Sequence, residues 1–230
     1  MKKRMRTLVI GDIHGALKAL IQVLYRADFD YKNDRLIVLG DVADGWPEVM
    51  ESFEHLINNV KNLVYVYGNH DSWLKHWLKE GKTPNVWTMQ GGMATINSYE
   101  GVKEEIKKKH LKFLQGVKCY FIDEKNRVYV HGGIDTKKHP ADTDKMYLLW
   151  DRRLWDSRNS LEKLPLFREV YVGHTSIYRF SHKPLNYANV WFMDTGGGWE
   201  GVLSLIDVDT KEVWQSDVVS ELYLGELGRN

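Results

Sequence analysis

The sequence predicts an α/β fold with two packed mixed β-sheets, and three observations carry that expectation. The first 75 residues alternate short apolar runs with amphipathic segments. From residue 117 onward the pattern turns to closely spaced strands. No repeat, linker or low-complexity tract divides the 230 residues, so residues 1–230 read as a single domain.

Each element follows from its own pattern. Thr7–Ile10 reads as a buried strand closed by Gly11. Leu17, Leu20, Ile21 and Leu24 recur at helical spacing, so a helix follows. Arg35–Leu39 is a second buried run, ending at Gly40. Pro47 is expected to open the next helix, where a missing N–H costs nothing. Glu48 and Glu51 suit its positive end, and Val49, Met50, Phe53, Leu56 and Ile57 form its apolar stripe. Leu63–Tyr67 is a third strand. Strand–helix–strand–helix–strand predicts parallel pairing. Residues 73–80 and 101–114 read as helices, the second with a solvated charge run over residues 103–109. Strands are then expected at Lys118–Ile122, Arg127–Val130, Glu169–Val172, Val190–Met193, Val202–Val208 and Glu212–Gln215. Their close spacing suggests antiparallel hairpins. Residues 216–230 carry no deciding signal.

Composition narrows the function. The chain is 43% hydrophobic and 27% charged, with a formal net charge of +1, so no overall field draws it to nucleic acid or membrane surfaces. Its single cysteine, Cys119, excludes an internal disulfide framework and fits a reducing compartment. The basic stretch Met1–Arg6 precedes an apolar run, but Gly11, Asp12 and His14 interrupt it before a signal peptide could form. No run approaches the ~18 apolar residues of a membrane span. The expectation is a soluble, cytoplasmic protein.

The chemistry lies at the strand ends. Strand one runs into Gly11-Asp12-Ile13-His14-Gly15, strand two into Gly40-Asp41-Val42-Ala43-Asp44-Gly45, and strand three into Gly68-Asn69-His70-Asp71. Later strands run into His131-Gly132-Gly133 and Gly173-His174-Thr175. Ligands of open α/β sheets bind at the carboxyl ends of the strands, and here five ends carry Asp, Asn or His beside Gly. Each piece alone has a plainer reading: Asp12 as a helix cap, Asn69 as a turn residue, His131 or His174 as a hydrogen-bonded core histidine. Together they form an oxygen and imidazole ligand set without thiolate, suited to Mn²⁺, Fe²⁺ or Zn²⁺. A pair of such ions clamps both oxygens of an in-line displacement at phosphorus and generates hydroxide near neutral pH.

The ordered motifs resemble those of the calcineurin-like metallophosphoesterase superfamily, and within it the bacterial and phage branch of phosphoprotein (serine/threonine) phosphatases. Gln90-Gly91-Gly92 to Ser98-Tyr99, Leu148-Leu149-Trp150-Asp151-Arg152 and Met193-Asp194-Thr195-Gly196 also resemble that branch, and the likeness spans residues 7–208. The resemblance implies two sheets flanked by helices, a cytoplasmic bacterial or phage-encoded enzyme, and two divalent ions, Mn²⁺ first and Fe or Zn as alternatives. It places Asp12, His14 and Asp41 on one ion and Asp41, Asn69, His131 and His174 on the other. The implied reaction is hydrolysis of phosphomonoesters by hydroxide formed at the ions. His70 would protonate the leaving oxygen, and Asp44 would orient His70 and raise its pKa. Asp71 reads as a cap for a helix starting near Ser72.

Two family arginines are missing. Gly45 stands where one follows the second motif's Asp, and Tyr67 where another precedes Gly-Asn-His. Arg152 matches a remaining phosphate-binding arginine, with Arg153 as a substitute, and Asn69 and His70 would share in binding the phosphate. Trp46, Tyr67 and Trp73 are candidates for a wall against the substrate, and Trp150 and Trp199 also lie beside the motifs. The substrate is then a phosphoprotein or a small phosphoester. The alternatives are a nucleotide-directed hydrolase acting on dinucleoside polyphosphates or phosphodiesters, and a non-catalytic module that keeps the metals as scaffold.

Overall fold

The computed structural model describes residues 5–229. Two five-stranded sheets face each other. The first has the order β10-β9-β1-β2-β3 and the second β4-β5-β6-β8-β7. The strands are β1 (Thr7–Ile10), β2 (Arg35–Val38), β3 (Asn62–Tyr65), β4 (Tyr120–Ile122), β5 (Arg127–Val130), β6 (Glu169–Val172), β7 (Leu185–Tyr187), β8 (Val190–Phe192), β9 (Ser204–Asp207) and β10 (Val213–Gln215). The helices are α1 (Leu17–Arg26), α2 (Val49–Asn59), α3 (Asn69–Glu80), α4 (Asn85–Trp87), α5 (Met93–Ser98), α6 (Glu104–Gly116), α7 (Lys145–Trp150), α8 (Arg153–Asp156) and α9 (Val219–Leu222).

Each sheet has three adjacent parallel strands: β1, β2 and β3, which run to the edge of the first, and β5, β6 and β8 at the centre of the second. Antiparallel β9 and β10 complete the first sheet beside β1, and antiparallel β4 and β7 flank the second. The antiparallel hairpins expected in the second half form at β4–β5 and β9–β10, but β5, β6 and β8 pair in parallel, so the second sheet is mixed. The connections from β5 to β6 and from β6 to β8 are long enough to cross over, and β7, which the pattern missed, precedes β8. Val9, Ile37, Leu39 and Val66 from one sheet meet Tyr129, Tyr171 and Met193 from the other in a fully buried layer. Helices α1 and α2 cover the outer face of the first sheet, and α7 and α8 that of the second.

Several boundaries differ from expectation. Helix α2 starts at Val49 with Glu48 at the cap position, and the Glu48 carbonyl accepts from Ser52 N at 2.9 Å. Pro47 therefore lies outside the helix. Helix α3 begins at Asn69 rather than near Ser72, because the Asp71 carboxylate reaches back to Gly68 N (3.0 Å) and organises the first turn. Residues 85–98 fold into two short helices, α4 and α5, joined through a kink at Gln90 and Gly91, where Gly91 has φ 94°. No helix among the described residues is long and apolar enough to cross a membrane.

Candidate metal centre

Because three adjacent strands run parallel in each sheet, their carboxyl ends can deliver side chains to one place. Strand β1 leads to Asp12 and His14, β2 to Asp41 and Asp44, and β3 to Asn69 and His70 at the start of α3. Strands β5, β6 and β8 lead to His131, His174 and Asp194. All nine are 5% exposed or less. Polar groups this deep need specific partners.

The turns that aim them are tight. His14, Asp41, Asp44 and His174 all adopt positive φ, between 48° and 71°, a conformation that costs a non-glycine residue energy and clusters at functional sites. A Cβ on Gly68 would overlap Asp41 Oδ1, and one on Gly173 would overlap Asp12 Oδ1, so glycine is required where backbone crosses a carboxylate.

Ligand atoms of His14, Asp41 and His70 lie within 4.8 Å of one another, and so do those of Asp41, His131 and His174. Asp41 belongs to both groups, as a bridging ligand must. Asp12 Oδ2 is 3.9 Å from His14 Nε2, and Asn69 Oδ1 is 2.8 Å from His131 Nε2. Backbone carbonyls fix two of the imidazoles: His14 Nδ1 donates to Ala43 (2.8 Å) and His131 Nδ1 to Leu39 (2.7 Å). This leaves Nε2 of each facing the cluster, the arrangement that orients histidine ligands. His70 N donates to Asp41 Oδ1 (2.9 Å) and His174 N to Asp12 Oδ1 (3.0 Å).

The residues present fit a divalent metal centre. Two buried atoms in the cluster, Asp41 Oδ2 and His174 Nε2, have no hydrogen-bond partner. His131 Nε2 nevertheless stands 3.1 Å from Asp41 Oδ2. Burial alone would raise Asp41, yet the imidazoles of His131, His70 and His14 hold it well below the usual carboxylate range. Burial works against a charged His131, but Asp41 and Asp12 push it up to about 9. A proton on His131 thus supplies the positive charge that the buried carboxylates demand. Burial and the neighbouring Asp194 drive Asp12 far upward, a like-charge pressure that a dication relieves.

His70 and Asp44 form a separate unit beside the ligands. His70 Nδ1 lies 2.5 Å from Asp44 Oδ2. Asp44 also accepts from Trp87 Nε1 (2.8 Å) and Thr95 Oγ1 (2.6 Å). The expectation that Asp44 raises the His70 pKa is corrected: burial pushes His70 down to about 3 and Asp44 up to about 8. With Nδ1 engaged by Asp44, His70 Nε2 is the ring nitrogen left free to face the cluster.

The structure separates the remaining expected residues. Trp46 is 1% exposed, stacks on Tyr223 and donates its indole N–H to Gly197 O (2.8 Å). Tyr67 is 6% exposed and lies under Lys75. Neither can wall a substrate, because both are spent on packing. Trp73 lies beside the cluster, edge-on to His70 at 4.9 Å and to Trp150 at 5.4 Å, and Trp150 meets His174 at 5.9 Å. Arg153 is held by Asp151 (2.6 Å) and Tyr147, so it is no substitute for Arg152. The Arg152 side chain is exposed, and its charge lowers His174 and His70. Asp71 accepts from the N–H groups of Gly68, Asp41, Val42 and Ala43 and is structural, as expected.

Three residues escaped sequence reasoning. Trp87 and Thr95, which hold Asp44, sit in and beside the Gln90–Tyr99 segment, to which sequence reading assigned no role at the site. Arg229 comes from 215 positions away to place Nη1 3.3 Å from His14 Nε2, and no local pattern marks it.

Comparison with known proteins agrees with this architecture. The family model for calcineurin-like phosphoesterases matches residues 5–199. A symmetrical bis(5'-nucleosyl)-tetraphosphatase of Neisseria meningitidis is 25% identical over 90% of this chain and 93% of that protein. Serine/threonine-protein phosphatase 1 of Salmonella typhimurium is 26% identical over 86% of this chain and 89% of its own length. The crystal structure of a candidate diadenosine tetraphosphatase superposes with a TM-score of 0.70, at 15% identity, covering 93% of this chain and 94% of that one. With a family model spanning most of its length, ligand ends converging from both sheets and a phosphatase among its relatives, the chain belongs to the calcineurin-like phosphoesterase family and is a phosphoric ester hydrolase.

Proposed function

We propose that the protein is a two-metal phosphomonoesterase of serine/threonine phosphatase type. The observation that carries this is the convergence of the ligand cluster with a hydrogen-bonded His70–Asp44 pair, since a pure metal scaffold has no use for that pair. Asp12, His14 and Asp41 would hold one divalent ion, and Asp41, Asn69, His131 and His174 the other. The ions, Mn²⁺ by preference, supply Lewis acidity and lower the pKa of a water toward neutrality. The chain's residues do the rest. His70 Nε2 gives its proton to the departing oxygen, and Asp44, fixed by Trp87 and Thr95, keeps the ring oriented and takes up the compensating charge. Arg152 stands at the His174 side as a cation for the phosphoryl oxygens. The unpaired Cys119 fits a cytoplasmic setting.

A second reading, hydrolysis of dinucleoside polyphosphates, is favoured by the half-buried Trp73–Trp150 pair beside His70 and His174, a surface on which a base could stack. The deciding experiment measures turnover of p-nitrophenyl phosphate, its bis-aryl diester, a phosphoserine peptide and diadenosine tetraphosphate, after chelation and Mn²⁺ add-back. Restored monoesterase activity with little diester cleavage supports the first reading. Preference for the tetraphosphate selects the second, and no turnover on any of the four refutes both.

A further inference from the structure

The chain's last described segment crosses the site. Tyr223 docks one end: it stacks on Trp46 at 5.2 Å, accepts from Lys18 N (2.9 Å) and donates to Glu48. Gly228 and Arg229 dock the other. Gly228 lies so close to Trp46 and to Gly198 O that a Cβ would clash with both, and Arg229 N donates to Gly198 O at 2.9 Å. Between these anchors Leu224 and Leu227 face outward, 85% and 74% exposed. A cavity of about 310 Å³ lies under the segment, lined by Gly45, Pro47, Ala94 and Asn97 on the body and Gly225, Glu226 and Leu227 on the strap.

The strap delivers one guanidinium. The Arg229 side chain threads between three glycines: a Cβ on Gly45, Gly91 or Gly198 would lie 3.2, 3.5 or 2.9 Å from its methylenes. Its guanidinium lies over Trp199 at 5.0 Å and reaches His14. It has no carboxylate partner among the described residues, and its buried Nε has no acceptor. A half-buried guanidinium whose buried Nε has no acceptor is costly, and its charge acts on the Asp44 and Asp194 carboxyls as well as on His14 and His70 without a direct contact to either carboxylate among the described residues. With His14 Nε2 committed to a metal ion, Arg229 loses its one side-chain acceptor. Its demand is for an anion that arrives at the site.

We propose that Arg229 is a substrate-binding residue: carried by the strap Tyr223–Arg229 through the space that Gly45 leaves open, it grips phosphoryl oxygens on the His14 side, as Arg152 does on the His174 side. The proposal rests on the phosphoesterase reading. It also explains why Gly45 needs no side chain of its own there, since an arginine enters the same space from the other end of the chain.

The test compares wild type, Arg229→Ala and Arg229→Lys, all loaded with Mn²⁺. Inorganic phosphate binding is measured by calorimetry, p-nitrophenyl phosphate hydrolysis as kcat and KM, and Mn²⁺ affinity by titration. Arg229→Ala is expected to raise both the phosphate Kd and KM about tenfold or more, with Mn²⁺ affinity undiminished. Arg229→Lys should recover part of the loss, since it keeps the charge without the bidentate fork. Unchanged phosphate affinity in Arg229→Ala would leave the arginine a mere anchor of the strap and overturn the proposal. So would tighter phosphate binding with faster turnover, which would make Arg229 a plug, or a loss of Mn²⁺. The two readings fail separately. A wild type that turns over no phosphoester, yet loses phosphate affinity in Arg229→Ala, sinks the enzyme reading and leaves the anion site standing. An active wild type indifferent to Arg229 does the reverse.

Discussion

At the scale of single residues, the site is a balance of buried charge. Asp12 and Asp41 cannot both be ionised in a dry pocket without a nearby cation, and His131 supplies one when it holds a proton. His70 stands apart because its Nδ1 is committed to Asp44, which leaves Nε2 as the nitrogen through which the proposed proton transfer would run. His70→Asn is therefore expected to lower kcat by about 10²–10⁴, the usual range for a lost general acid, with both metal ions retained by elemental analysis. Wild-type turnover in that variant would remove the proton-donor role, and loss of metal would instead make His70 a ligand. His70 and Asp44 were legible in the sequence because they sit in strand-end motifs. Trp87 and Thr95 were not, since what they hold lies 43 and 51 positions away in the chain.

At the scale of elements, Asp71 ties two strand ends together. Its carboxylate accepts from Gly68 at the end of β3 and from Asp41, Val42 and Ala43 at the end of β2. The loop that carries Asp41, the residue shared by both candidate metal groups, is thus moulded onto the first turn of α3, and His70 N closes the contact from the other side. Removing the acceptor in Asp71→Ala leaves up to four buried donors unpaired. At about 1 kcal/mol per net hydrogen bond, a loss of ~2–4 kcal/mol is expected. It would be read as a lower urea midpoint at unchanged slope. A shift under ~0.5 kcal/mol would mean that the loop does not depend on this carboxylate. The role of Asp71 as a structural acceptor was readable from its place after Gly-Asn-His. Its reach to the β2 loop was not, because that contact spans 30 positions.

At the scale of the whole molecule, both sheets contribute to the candidate ligand groups, so the proposed metal binding would be linked to the packing of the sheets. A ligand that binds only the folded state stabilises it by RT ln(1 + [L]/Kd), about 2.7 kcal/mol at a hundredfold excess over Kd. For a chain of this size each kcal/mol moves Tm by roughly 2–4 °C. Mn²⁺ at that excess over a chelated control should raise Tm by about 5–10 °C in scanning calorimetry, with the shift growing with the logarithm of free metal. A Tm indifferent to chelation would contradict a centre built across the two sheets.

The sequence by itself determined the reaction centre's ingredients. Apolar runs ending in glycine beside Asp, Asn or His are local patterns, set by turn chemistry and side-chain type, and they marked Asp12, His14, Asp41, Asn69, His70, His131 and His174. Only the tertiary structure decided which strands run parallel in the second sheet, since pairing depends on long crossovers that leave no local period. Only the tertiary structure buried Trp46 and Tyr67, because burial is fixed by what packs over a residue rather than by its neighbours in sequence. It alone brought Arg229 to His14 across 215 positions. No spacing rule encodes that contact, which exists because Tyr223 and Gly228 dock the strap on Trp46 and Gly198.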